Sequence, residues 1–352
     1  MVEILVYRIF DGGDLNNLNP IEDAQSVSNL SRFLDGGETS IIFNKHSLNR
    51  SLVSTKLKNI LELYSFENGI VSNVDGSFLK FIEGSLAYAS TNWLIGNTQN
   101  KDKNYFSTYD INSQNKTYIR NPNWVGASSG VDLSSISVWN SSGLNTRAGM
   151  AITKRHFNYA THYPISINAT MDFLGNDGQV VTKRVVDSQR IFGDLSIGTL
   201  DSDLPNNIKI AKVMPSNFED YLNTSGAKNI AVFGVDKDKR YLLFNLSRFG
   251  YSGGDTVDTT NTKNGGRNGT LALNRNKISN FEDYYEGAVG GDSGGSIFMI
   301  VNGHPVALSQ FYTNAEEGVA IYNHLPAIEN YISQTNQKLT YLNLSEFTNY
   351  GQ

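Results

Sequence analysis

The stretch Gly290 to Phe298, GGDSGGSIF, sets a serine between two glycine-rich flanks, just before an apolar run of Ile297, Phe298, Met299 and Ile300. Glycines crowd a loop where the backbone must take positive φ or let another group come very close. The apolar run is expected to be a strand, which leaves Ser293 on a fixed platform at its mouth. The N–H groups of Gly291 and Ser293 can then point at one spot beside the hydroxyl. A hydroxyl next to donors aimed at a developing oxyanion is what acyl transfer needs. The competing reading is a plain glycine-rich turn. A serine is inert without a base, so the rest of the chain must supply a histidine and a carboxylate.

His46 has no evident partner, and the other four histidines are His156, His162, His304 and His324. In GMAITKRHFNYATHYPI, His162 follows an expected strand. In IFGDLSIGTL, Asp194 stands at the start of an alternating strand. A buried carboxylate there is suited to hold an imidazole tautomer by accepting from its N–H. The candidate order is therefore His162, Asp194, Ser293. His156, six residues upstream of His162, is the alternative base.

These residues carry a resemblance. YATHY resembles the Ala-Ala-His segment of the chymotrypsin/trypsin-like serine peptidases, GDLSIGTL resembles their aspartate strand, and GGDSGGS resembles their nucleophile loop, all in the same chain order. PVALSQF is similar to the strand that borders the family's substrate pocket, and GVAIYNHLPAIENYI to its closing strand and C-terminal helix. The likeness covers about residues 131 to 340. It implies an all-β, trypsin-like double β-barrel with a C-terminal helix. It also implies peptide-bond hydrolysis through an acyl-enzyme. Ser293 would be the nucleophile, His162 the base and Asp194 its orienter, with Gly291 and Ser293 as the oxyanion hole. Gly287, Ser309, Gln310 and Phe311 would line the substrate pocket, with Glu286 close enough to lean in. No metal or cofactor is called for. The form around WNSSGLNTRAGMAITKRHF and GTLDSDLP is similar to trypsin-like domains of bacteriophage and environmental bacterial proteins, implying a virion-associated or extracellular protein.

The chain also departs from that family. Asp292 fills the position that pairs with a freed N-terminus in zymogen-derived members, yet nothing near residue 131 reads Ile-Val-Gly-Gly. Asp292 then has another partner, or activation differs, or the chain is never activated. Ser296 replaces the usual proline, and the family's disulfides are absent because the chain has no cysteine.

The elements that must position these residues are short strands. The 352 residues are 39% apolar and only 18% charged, with 18 Tyr and 18 Phe, a mixture that favours strands and turns. The formal net charge of −5, with no basic block, gives nucleic-acid or anionic-membrane binding no support. No apolar stretch approaches the roughly 20 residues of a membrane helix, and MVEILVYRIFDGG does not read as a signal peptide. Strands are expected at 148–153, 165–171, 180–186, 195–200, 208–213, 230–235, 241–246, 297–301, 306–311 and 318–322. Leu325, Ile328, Tyr331 and Ile332 form the stripe of a final helix, with Pro326 suited to its first position. Residues 250–280 read as a long solvated loop, and Asp201 and Asp203 as turn residues. A helix over 52–63 and a hairpin turning at Asp75-Gly76 are expected earlier.

Three segments follow: a β-rich accessory or attachment module over 1–125, the trypsin-like region over 126–340, and a tail over 341–352. The expected function is a serine endopeptidase or self-processing peptidase acting on protein or peptide. The alternative is a peptidase-like attachment protein of a virion, contacting other virion or surface-assembly proteins through residues 1–125.

Overall fold

A computed structural model of the chain describes residues 86, 89–90, 102–143, 148–221, 231–248, 270–274, 284–311 and 317–349. The expected helix over 52–63, the hairpin at Asp75-Gly76, and His46 lie outside them. In chain order the strands are β1 (Phe106–Tyr109), β2 (Tyr118–Arg120), β3 (Ser137–Asn140), β4 (Met150–Ala151), β5 (His156–Ala160), β6 (Thr170–Leu174), β7 (Val180–Phe192) and β8 (Leu195–Leu200). They continue as β9 (Lys212–Val213), β10 (Ala231–Val235), β11 (Tyr241–Arg248), β12 (Thr270–Asn274), β13 (Ser296–Val301), β14 (His304–Gln310) and β15 (Glu317–Val319). A single complete α-helix, α1 (Leu325–Ile332), follows among the described residues. None of the described helices is long and apolar enough to cross a membrane.

Two sheets hold the body together. The first has six strands in the order β3-β6-β7-β8-β5-β4. Its edges meet where Ile136 bridges Met150 and the Ser137 N–H donates to the Gly149 carbonyl at 2.8 Å, so it forms a nearly closed barrel. The barrel is filled by Phe157, Met171, Phe173, Val185 and Leu200. The second sheet has seven strands in the order β15-β12-β11-β10-β13-β14-β9.

The unbroken apolar run of β13 has a simple cause. Side chains alternate across a strand, and this strand has a core on both faces. Phe298 and Ile300 pack into the cluster shared with the barrel, while Ile297, Met299 and Val301 pack into the cluster on the outer face. Strand β10 behaves alike, with Phe233 and Val235 on the inner side and Val232 on the outer. At Gly234 an added Cβ would lie 2.2 Å from Phe311 Cζ, so the ring of Phe311 occupies the space of a side chain.

The shared cluster also takes in Tyr105, Phe106, Tyr118, Trp124 and Val125. The β1–β2 hairpin is pinned to the barrel by Asp172, fully buried on β6, which accepts from Ser113 Oγ at 2.7 Å, Lys116 Nζ at 3.1 Å and Thr182 Oγ1 at 2.6 Å. The boundary expected near residue 125 therefore falls inside a continuous core. Part of the expected tail over 341–352 is packed on the body: Tyr341 bridges Val213, and Leu342 and Leu344 enter the outer cluster.

Other expectations shift for local reasons. The strand expected at 165–171 begins at Thr170, because Asn168 takes φ +67° and Ala169 N–H closes a turn onto Ser166. Of 208–213 only Lys212–Val213 pairs, running parallel to β14. The strand expected over 318–322 ends at Val319, and Ile321–Asn323 is a 3-10 turn. Within the expected loop 250–280, residues 270–274 form β12, paired with both β11 and β15. Helix α1 carries the expected stripe, burying Leu325, Ile328, Tyr331 and Ile332.

Candidate functional site

Antiparallel pairing of β5 with β8 puts Ala160 opposite Leu195. The residues just after β5 and just before β8 must then meet. Thr161 N–H donates to the Asp194 carbonyl at 2.7 Å, and Tyr163 N–H closes a turn onto Ala160. His162, in the middle of that turn, is held twice by one side chain: its backbone N–H donates to Asp194 Oδ1 at 2.7 Å, and its Nδ1 lies 2.8 Å from Asp194 Oδ2. Burial raises the Asp194 carboxyl above its ordinary range, and the bonds from His162 oppose that shift. A carboxylate facing Nδ1 makes that nitrogen the N–H donor, which makes Nε2 the proton-accepting nitrogen of the ring. The carboxylate is 7% exposed and the imidazole 41%, so the carboxylate is shielded while the ring reaches solvent.

The serine loop comes from the other sheet. Gly291 takes φ +103° and Gly294 +82°, both unfavourable for residues with a Cβ. Gly295 is pressed onto β10: a Cβ there would lie 1.9 Å from the Val235 carbonyl oxygen. Phe311, the residue just after β14, clasps the loop, with Gly294 N–H donating to the Phe311 carbonyl and Phe311 N–H to the Gly295 carbonyl, each at 2.9 Å. Asp292 is buried and accepts from Val289 N–H at 2.7 Å and from Lys237 N–H at 3.1 Å. The N–H groups of Asp292, Gly294 and Gly295 are spent on carbonyls, whereas those of Gly291 and Ser293 meet no acceptor among the described residues.

The two loops lie side by side. A Cβ at Gly294 would be 3.7 Å from Ala160 Cβ and 3.6 Å from Tyr163 Cδ1, the neighbours that flank the His162 turn. Ser293 itself is half-buried beside them. Its Oγ is not hydrogen-bonded to His162 Nε2 in this conformation. Such contacts often tighten only when substrate is bound.

A second link joins the two sheets beneath the surface. Gln310 Nε2 donates to the Asp194 carbonyl at 3.3 Å, and Gln310 Oε1 accepts from Asn158 Nδ2 at 3.2 Å. Asn158 lies at the centre of β5 and carries no motif of its own. A polar residue at the centre of an apolar strand is the signal that would have found it. Of the residues expected to line a pocket, Gly287 is half-buried, while Ser309, Gln310 and Phe311 are almost fully buried. Ser309 Oγ donates to the Val319 carbonyl, Gln310 makes the bridge, and Phe311 packs beneath Gly234. Glu286 does not lean in as an unpaired acid. Lys103 and then Arg240 engage it and hold its carboxyl below the usual range.

His156 is structural. It is fully buried on β5, with Nδ1 2.8 Å from Thr153 Oγ1 and Nε2 3.3 Å from Thr335 Oγ1, and burial pushes its pKa down to about 4. The unfolded chain takes up a proton near pH 6.5 that the folded chain refuses until about pH 4. His156 therefore contributes stability above pH 6.5 that is lost as the pH falls from 6.5 toward 4. Urea unfolding at pH 7.5 and 5 is expected to show this loss, and His156→Gln to remove that part of it.

No protein-family model matches the chain, and no curated protein sequence matches it significantly. The chemistry rests on the geometry alone. A buried carboxylate orients an exposed imidazole, a glycine-framed hydroxyl lies in the adjoining loop, and two backbone N–H groups in that loop have no acceptor among the described residues.

Proposed function

We propose that this protein is a serine peptidase of the trypsin-like kind, hydrolysing peptide bonds through an acyl-enzyme on Ser293. The observation that carries the proposal is the double hold of Asp194 on His162, backbone and ring together, in a turn that abuts the serine loop. A structural surface has no need of an imidazole fixed at one nitrogen by a shielded carboxylate while its ring reaches solvent. In the proposed cycle His162 Nε2 takes the Ser293 proton as Oγ attacks the carbonyl carbon. The N–H groups of Gly291 and Ser293 receive the oxyanion. His162 then protonates the departing amine, and water repeats the sequence to release the acid. Asp194 stays ionised throughout and stabilises the imidazolium. The same reading takes the nearly closed six-strand barrel as one of a pair, the seven-strand sheet serving as the other half.

With Glu286 neutralised by Lys103 and Arg240, and Gly287 lacking a side chain, the proposed primary pocket has no acid to select Lys or Arg. Small or apolar side chains are the expected preference.

The test is labelling with a fluorophosphonate probe. The parent is expected to label at one site, and Ser293→Ala and His162→Ala to lose labelling while keeping the parent's circular dichroism. A folded parent that fails to label would overturn the proposal and favour a peptidase-like attachment protein of a virion or surface assembly.

A further inference from the structure

The 286–292 turn carries one of the two N–H groups proposed to receive the oxyanion. It is fastened at both ends to one hairpin. At one end Asp292 accepts the Lys237 N–H, and at the other Glu286 takes a two-pronged bond from Arg240, at 2.9 Å and 3.0 Å. That hairpin, Asp236 to Arg240, is stiffened from within. Asp236 Oδ1 accepts from the Asp238 and Arg240 N–H groups, and Oδ2 accepts from Arg240 Nε at 2.7 Å.

The hairpin is in turn braced by a segment distant in sequence. Tyr241 N–H donates to the Lys103 carbonyl, Asn104 bridges Arg240, and Lys103 Nζ reaches Glu286 Oε2 at 2.9 Å. We infer that residues 102–104 act as a strut for the serine loop, with Lys103 a positioning residue that works through Glu286, Arg240 and the hairpin. The region ahead of the trypsin-like part is then a working component of the site. The Asp292 carboxylate, sealed under two backbone donors, needs no freed N-terminus, so the uncut chain holds the turn assembled. The effect on catalysis rests on the peptidase reading; the mechanical effect on the turn does not.

The test pairs hydrogen exchange with labelling kinetics in full-length Lys103→Ala, Glu286→Ala, the double variant and Lys103→Arg. Part-exposed ion pairs are individually weak and gain in a network, so amide exchange over 287–295 is expected to rise about three- to tenfold in Lys103→Ala. Exchange over 195–200 should stay at the parent's rate. Lys103→Arg should restore the parent's behaviour, and Lys103→Ala should add nothing to Glu286→Ala. Labelling is expected to slow by a similar factor through the maximal rate, with probe affinity unchanged.

Exchange over 287–295 unchanged within about twofold, or an equal rise over 195–200, would overturn the strut. Raised exchange with undiminished labelling would overturn its catalytic role alone. A parent that never labels sinks the peptidase reading, while the exchange result still decides the strut.

Discussion

Asp194→Asn is expected to slow fluorophosphonate labelling of Ser293 by about a thousand- to ten-thousandfold while leaving the fold intact. The size follows from how much Asp194 does at one place. It fixes the His162 ring through Nδ1 and its backbone through N–H, and the imidazolium of the proposed acylation step needs the negative charge. An asparagine keeps the shape. It can still accept one bond, but it offers an amide N–H where Nδ1–H must be received, so the ring either turns or adopts the tautomer with its proton on Nε2. That tautomer cannot act as a base toward Ser293. The loss should therefore lie in rate rather than in probe affinity, and be partly relieved at high pH where hydroxide assists. Equal labelling of parent and variant over pH 6 to 9 would remove Asp194 from the mechanism.

Trp124→Ala is expected to cost about 3–5 kcal/mol of stability, the range for deleting a large buried aromatic. Trp124 is 1% exposed. Its ring stands edge-on to Tyr105 at 5.0 Å and Tyr241 at 5.4 Å, and lies where a side chain on Gly126 would go, 2.2 Å from the position of such a Cβ. It thus joins the segment ahead of the barrel to the first residue of β11. Urea denaturation should show one shifted transition that includes the barrel. A variant in which only the β1–β2 segment detaches, the rest unfolding at the parent's midpoint, would show that the core is divided after all.

What the sequence made legible is largely what strands announce locally. The run from Leu195 to Leu200 and the stripe on α1 are periodic within their own few residues, and both elements stand where that periodicity puts them. His162 and Asp194, singled out from motif order, do meet, because β5 and β8 pair in a register that brings their ends together. Features set by partners elsewhere in the chain were hidden. Nothing in TLALN told that 270–274 lies between two other strands, because its neighbours β11 and β15 are far away in sequence. Gln310 reads as a pocket residue by alignment to a motif, but its amide is spent on Asn158 and Asp194, a contact no local window contains. The boundary near 125 follows a polar stretch of sequence, and local composition is blind to Trp124 sharing a core with Phe298.

The Gln310 bridge has a consequence for how such a chain is made. Asp194 leaves the ribosome well before Ser293, yet Gln310, whose amide grips the Asp194 carbonyl, and Phe311, which clasps Gly294 and Gly295, both emerge after Ser293. Contacts this far apart in sequence are slow to form, because the loop between them must first be closed. A nascent chain ending between Ser293 and Gln310 carries His162, Asp194 and Ser293 but lacks pieces that align them. Under the proposed activity, synthesis order would serve as a safety interlock, keeping a half-made protein from cutting itself or its neighbours until Phe311 has closed over the loop.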